Sequence, residues 1–155
     1  MHPNVSRVVA AGAAIGVEVV TREFSESTRT AAEAAAAIGV ELGQIVKSLV
    51  FNVDHEPVMA LVSGDRQLDE AKLARAAGGR HAGRPDANAV RAATGFPVGG
   101  VPPFGHTNPL PLFVDEGLLR FDEVWAAAGT PHVNFPIDPN VLVSATGGHV
   151  CDLTR

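Results

Sequence analysis

The chain has 155 residues, 46% of them hydrophobic and 19% charged; that is one ordinary domain able to bury about two-thirds of its unfolded surface, which excludes a disordered chain. Its 16 glycines and 11 prolines fall at the ends of apolar runs without a period, so neither collagen nor a low-complexity linker fits. Acidic residues outnumber basic ones 17 to 12, for a net charge of −5, and the basic residues are scattered singly, which argues against a strong unaided grip on a nucleic-acid backbone.

Val5, Val8, Val9, Gly12 and Ile15 follow a helical stripe, with Asn4 as N-cap and Gly16 as the stop. The apolar run from Val8 to Val17 is too short and too rich in Ala and Gly to span a bilayer. Val17 to Val20 reads as a first strand. Thr30 and Glu33 are spaced as a capping box for a helix from Ala31 to Ile38, closed by Gly39. Val46 to Val53 and Pro57 to Val62 are β-branched runs that form a hairpin across Asp54-His55-Glu56. Asp69 caps a helix from Glu70 to Ala77, and Asp86 caps another from Ala87 to Thr94.

From Phe96 to Pro111 the prolines remove too many N–H groups for a central strand, and the segment reads as a stiff, ordered loop. Strands return at Leu112–Val114, Val124–Ala127 and Val133–Phe135; Pro139 opens a last helix to about Ala145, and His149–Leu153 is a final strand. With no repeat and no linker, residues 1–155 form a single α/β domain with a mixed sheet covered by short helices.

The six histidines show no pair at metal-ligand spacing, and the lone Cys151 has no Cys partner, so no metal site and no internal disulfide is expected. No phosphate-binding loop, dinucleotide fingerprint or nucleophile elbow occurs, and no cofactor is expected. Lys47 stands out. Strand alternation places it on one face with Leu49, Phe51 and Val53. Either its stem packs while the ammonium reaches water, or it is a cation at the edge of an apolar pocket, aimed at a carbonyl, phosphate or carboxylate. The run Gly99-Gly100-Val101-Pro102-Pro103-Phe104-Gly105 is the second feature. It is either a rigid set of backbone oxyanion donors or a structural crossover with tight turns.

Three separated strings, Ser27 to Ala35, Gly43 to Phe51 and Gly99 to His106, together with Trp125 to His132, resemble the YbaK/prolyl-tRNA editing domain family of aminoacyl-tRNA deacylases. The resemblance runs through essentially the whole chain. It implies a curved, barrel-like mixed sheet and a pocket for the 3′ aminoacyl-adenosine of a mischarged tRNA. By the same resemblance Lys47 holds or polarises the substrate, while Gly99 and Gly100 position the ester and Val101 and Pro103 line the site with them. Thr28 and His132 approach the pocket, and Phe51, Val62, Phe104 and Gly105 shape it, with helix capping, surface turn and core packing as the structural alternatives.

The family relies on a positioned water or on the substrate's own groups more than on a carboxylate or histidine base. The implied activity is that of a free-standing trans-editing deacylase, acting on a small amino acid such as Ala, Cys, Ser or Thr. Its partners would be the aminoacyl-tRNA 3′ end and an aminoacyl-tRNA synthetase, in the cytoplasm, with no membrane. A non-catalytic tRNA- or synthetase-associated module of the same fold is the alternative. A hydrolase of small acyl esters is a third reading.

Overall fold

The computed structural model describes residues 1–155. Helix α1 (Pro3–Ala14) is capped by His2, whose Nδ1 accepts from the Asn4 N–H at 3.0 Å, so the cap lies two residues earlier than Asn4. Pro3 explains the shift, because its fixed φ suits the first helical position and it has no N–H to satisfy. The Asn4 side chain instead donates to the Gly129 carbonyl at 3.1 Å. Val17–Val20 is not a strand. Val17 and Val19 are buried, which produces the alternation, but β1 (Arg22–Glu23) is the first segment to find a ladder partner.

Helix α2 (Ala31–Ile38) has half of the expected capping box: the Thr30 hydroxyl accepts from the Glu33 N–H at 3.1 Å, but the Glu33 carboxylate accepts from that hydroxyl at 3.0 Å and not from the Thr30 N–H, and the helix ends on Gly39 at φ 84°. A short 3₁₀ turn at Leu42–Gln44 leads into β2 (Val46–Val53), which pairs antiparallel along its length with β3 (Glu56–Ser63). Asp54 and His55 turn the hairpin with φ of 47° and 72°, the left-handed pair that a two-residue connection between twisted strands requires. Then follow α3 (Glu70–Ala76), the two-residue β4 (Ala82–Gly83), α4 (Ala87–Thr94), the irregular segment through Pro111, β5 (Leu112–Asp115), a 3₁₀ turn at Glu116–Arg120, β6 (Val124–Ala127), β7 (Val133–Ile137), α5 (Pro139–Thr146) and β8 (His149–Cys151).

The strands form two sheets, β1-β7-β6 and β4-β2-β3-β5-β8, with β3-β5 and β5-β8 parallel and the remaining pairs antiparallel. The mixed α/β class holds, but the sheet is not a closed barrel. Between the sheets there is one isolated parallel bridge, Ile45 to Trp125, and the five-stranded sheet ends on β4 and β8 without further pairing. The β2-β3 hairpin is apolar on both faces because both are covered. Val46, Val50, Met59 and Leu61 pack with α1, the Phe96–Phe104 segment and α5. Phe51, Val53, Val58, Ala60 and Val62 pack with α3 on the other side. β2 and β6 therefore leave the Ile45–Trp125 bridge as strands of two different sheets, and a groove opens between them.

Candidate active site

The groove has two adjoining chambers. The first, of about 230 Å³, is bounded by Thr28–Ala31 at the start of α2, by Val46–Leu49 of β2, by Val98, Gly99 and Val101, and by Ala127 and Asn134. The second, of about 290 Å³, is walled by Leu49, Phe51, Pro85 and Val90, with Arg84 beside them. Ser48, Leu49, Val98, Gly99 and Val101 belong to both.

β2 places Lys47 here, paired in register with Val62. Its ammonium donates to the Arg66 carbonyl. Burial lowers its pKa from the ordinary lysine value; the nearby Arg84 charge lowers it further, and Asp65 partly offsets both. Arg29, Lys47 and Arg84 all lie on the groove, and no Asp or Glu lines either chamber. Three of the twelve basic residues, separated in the sequence, thus meet on one concave, anion-accepting surface. The N-terminal end of α2, open to the first chamber through Thr30 and Ala31, adds the partial positive charge of its dipole.

The glycine loop divides by direction. The N–H of Gly100 donates to the Pro97 carbonyl at 3.0 Å, and its carbonyl accepts from Gly129 at 2.9 Å. A β-carbon on Gly100 would stand 2.9 Å from the Thr130 backbone. Its close approach is therefore to protein backbone, where the sequence suggested substrate. Gly99, at φ 87° against the Arg29 stem, and Val101 line both chambers, and neither of their N–H groups has an acceptor within the protein. Two free donors flank one occupied donor.

Thr28, Lys47, Gly99 and Val101 are brought together in the first chamber, and Phe51 joins them from the second. The Thr28 hydroxyl donates to the Pro131 carbonyl at 2.8 Å and accepts from Asn134 Nδ2 at 2.7 Å, so it holds the loop before α2 in place, while Thr30 makes the cap. Pro103, Phe104 and Gly105 face away, into a separate cavity of about 240 Å³ shared with His106. There Phe104 packs against the Phe135 ring with centroids 5.7 Å apart. Val62 is fully buried in the α3-side core. His132 is exposed and its Nδ1 meets the Glu26 carbonyl at 3.1 Å, tying two loops outside the groove.

Sequence reasoning missed Asn134, Ser48 and Arg84. Asn134 and Ser48 carried the signal that marked Lys47, a polar side chain inside an apolar strand run. Arg84 had none, since it reaches the site from the loop after β4. No group of three His, Cys, Asp or Glu side chains converges anywhere to hold a metal ion.

A crystal structure assigned as a trans-editing enzyme for prolyl tRNA synthetase superposes with a TM-score of 0.93 at 46% identity, covering 100% of this chain and 99% of that one. The Enterococcus faecalis protein EbsC, assigned as a Cys-tRNA(Pro)/Cys-tRNA(Cys) deacylase, is 29% identical over 84% of this chain and 80% of its own. The proline–tRNA ligase of Maridesulfovibrio salexigens is 43% identical over 67% of this chain, which spans only 18% of that ligase. The family model of the aminoacyl-tRNA editing domain matches residues 25–145, the span that carries both walls of the groove, and the chain belongs to that family.

Proposed function

We propose that this protein is a free-standing trans-editing deacylase that hydrolyses the ester of a mischarged aminoacyl-tRNA carrying a small amino acid such as Ala, Cys, Ser or Thr. One observation carries the reading: Lys47 and the unpaired N–H groups of Gly99 and Val101 surround a groove that contains no carboxylate. The phosphate-bearing 3′ end lies in the first chamber among Arg29, Lys47 and the start of α2, where anion-accepting groups collect. The ester carbonyl sits at the wall shared by the chambers. A water oxygen bonds to the carbonyl carbon, the carbonyl oxygen takes the negative charge toward Gly99, Val101 and Lys47, and the C–O bond to ribose then breaks, with the ribose oxygen taking a proton. Preorganised donors of this kind are worth more in a partly dry site than in water.

No histidine or carboxylate lines either chamber to act as base, so the proton passes through water or the substrate's own hydroxyl. The similarity to a segment of proline–tRNA ligases supports a synthetase as a further partner. The test is amino-acid release from a panel of tRNAs mischarged with Ala, Cys, Ser or Thr, in the presence of EDTA. Release from at least one of them, with correctly charged prolyl-tRNA spared, is expected. Binding of the panel without release would make the protein a binding module.

A further inference from the structure

Both chambers share a side chain with an unused hydrogen-bonding group. Ser48 Oγ is buried and has no hydrogen-bond partner, and Ser48 is among the residues that form the wall common to the two chambers. An orphaned buried hydroxyl costs stability, and a Ser inside an otherwise apolar strand invites a reason for being there.

The backbone around Ser48 is also unpaired. In an antiparallel strand, successive residues turn their N–H and C=O groups to opposite edges. The Ile45 carbonyl accepts from Gly64 on the β3 side, whereas the Asp54 N–H donates to His81 on the β4 side. Alternation between these points sends the N–H and C=O of Ser48 and Val50 away from β3. On that edge β2 pairs with β4 only at Asn52 and Val53, and with β6 only through Ile45. The Ser48 and Val50 backbone groups therefore open onto the groove.

An aminoacyl ester carries one obligatory polar group beside its carbonyl, the α-amine, which as an ammonium offers only donors and needs acceptors. The groove presents Arg29, Lys47 and Arg84 and no carboxylate, so acceptors must come from a hydroxyl, from the Asn134 amide oxygen or from backbone carbonyls. We propose that Ser48 is a substrate-binding residue whose hydroxyl, with the exposed carbonyl edge of β2, accepts hydrogen bonds from the α-amino group of the aminoacyl ester. This rests on the deacylase reading. It makes the site selective for α-aminoacyl over α-hydroxyacyl esters, and it fixes the carbonyl against Gly99 and Val101 by holding the neighbouring atom.

The test compares wild type, Ser48→Ala and Ser48→Thr on one mischarged tRNA and on the same tRNA after nitrous-acid conversion of its amine to a hydroxyl. Ser48→Ala should melt at or above the wild-type temperature, since it removes an unpaired buried group. It should lose about 10- to 100-fold in kcat/KM on the aminoacyl substrate, the range for a hydrogen bond to a charged group, and lose little on the α-hydroxyacyl substrate. Ser48→Thr, which keeps the hydroxyl, should recover most of the loss. Equal losses on both substrates, or no loss on the aminoacyl one, would overturn the assignment while leaving the deacylase reading intact. A wild-type protein that releases amino acid from no tRNA overturns both.

Discussion

Replacing Lys47 by Met separates chemistry from folding, because Met keeps most of the stem that packs in the strand row and removes only the charge. Two structural effects oppose each other: the Arg66 carbonyl loses its donor, and the burial that lowers the Lys47 pKa no longer has a cation to penalise. Their difference should stay within about 1 kcal/mol, which in a domain of this size moves the melting temperature by about 2–4 °C. The effect on rate is larger. A half-buried cation about 4 Å from a unit negative charge, at an effective dielectric constant of about 20, contributes about 4 kcal/mol. The oxyanion carries that charge only in the transition state, so a loss of about 100- to 1,000-fold in turnover is expected. Single-turnover deacylation, with melting followed by circular dichroism, reads both numbers. A folded Lys47→Met protein with turnover within a few-fold of wild type would refute the electrostatic role of this lysine.

Gly100→Val should act on stability, by about 1–3 kcal/mol of overpacking, because its β-carbon meets the Thr130 backbone; thermal melting and turnover per folded molecule distinguish this from a direct loss of rate. Leu61→Ala, at a fully buried position on the central strand, should cost about 2–5 kcal/mol in chemical denaturation. Burial depresses the His106 pKa below its ordinary value of 6.5, opposed by its hydrogen bond to the Pro102 carbonyl. The unfolded chain therefore takes up the proton first, so the stability present above pH 6.5 declines as pH falls through the depressed value. Melting curves from about pH 7.5 to about pH 5 should show this fall, and His106→Gln should flatten it.

Local chemistry was legible in the sequence at most helix starts and turns, though not at Asn4, where Pro3 moves the cap to His2. Thr30, Asp69 and Asp86 cap the helices that their spacing assigned, and the β2-β3 hairpin lies where two apolar runs meet a polar turn. Lys47 was legible as an anomaly, since a charge among Val46, Leu49 and Phe51 breaks the pattern. What a single chain of letters does not show is direction and partnership. Val17 and Val19 alternate like a strand but pair with no other strand. Gly99 and Gly100 are adjacent, yet one faces the groove and the other the Gly129–Thr130 turn. Phe104 is four residues from Gly100 and lies behind the loop, packed at a tilt against Phe135. Arg84 meets Lys47 only because the short β4 ladder brings its loop alongside β2.

In the proposed mechanism the ester is held where Gly99 and Val101 offer free backbone donors beside Lys47. Backbone amide NMR, with a non-hydrolysable 3′-aminoacylamino-adenosine added to the intact protein, tests it most directly. The largest shifts should fall on the Gly99 and Val101 amides and on Ser48, with Gly100 changed less because its N–H is already bonded to Pro97. Shifts centred instead on Phe104, Gly105 and His106 would place the ester in the cavity behind the loop and remove Gly99 and Val101 from the mechanism.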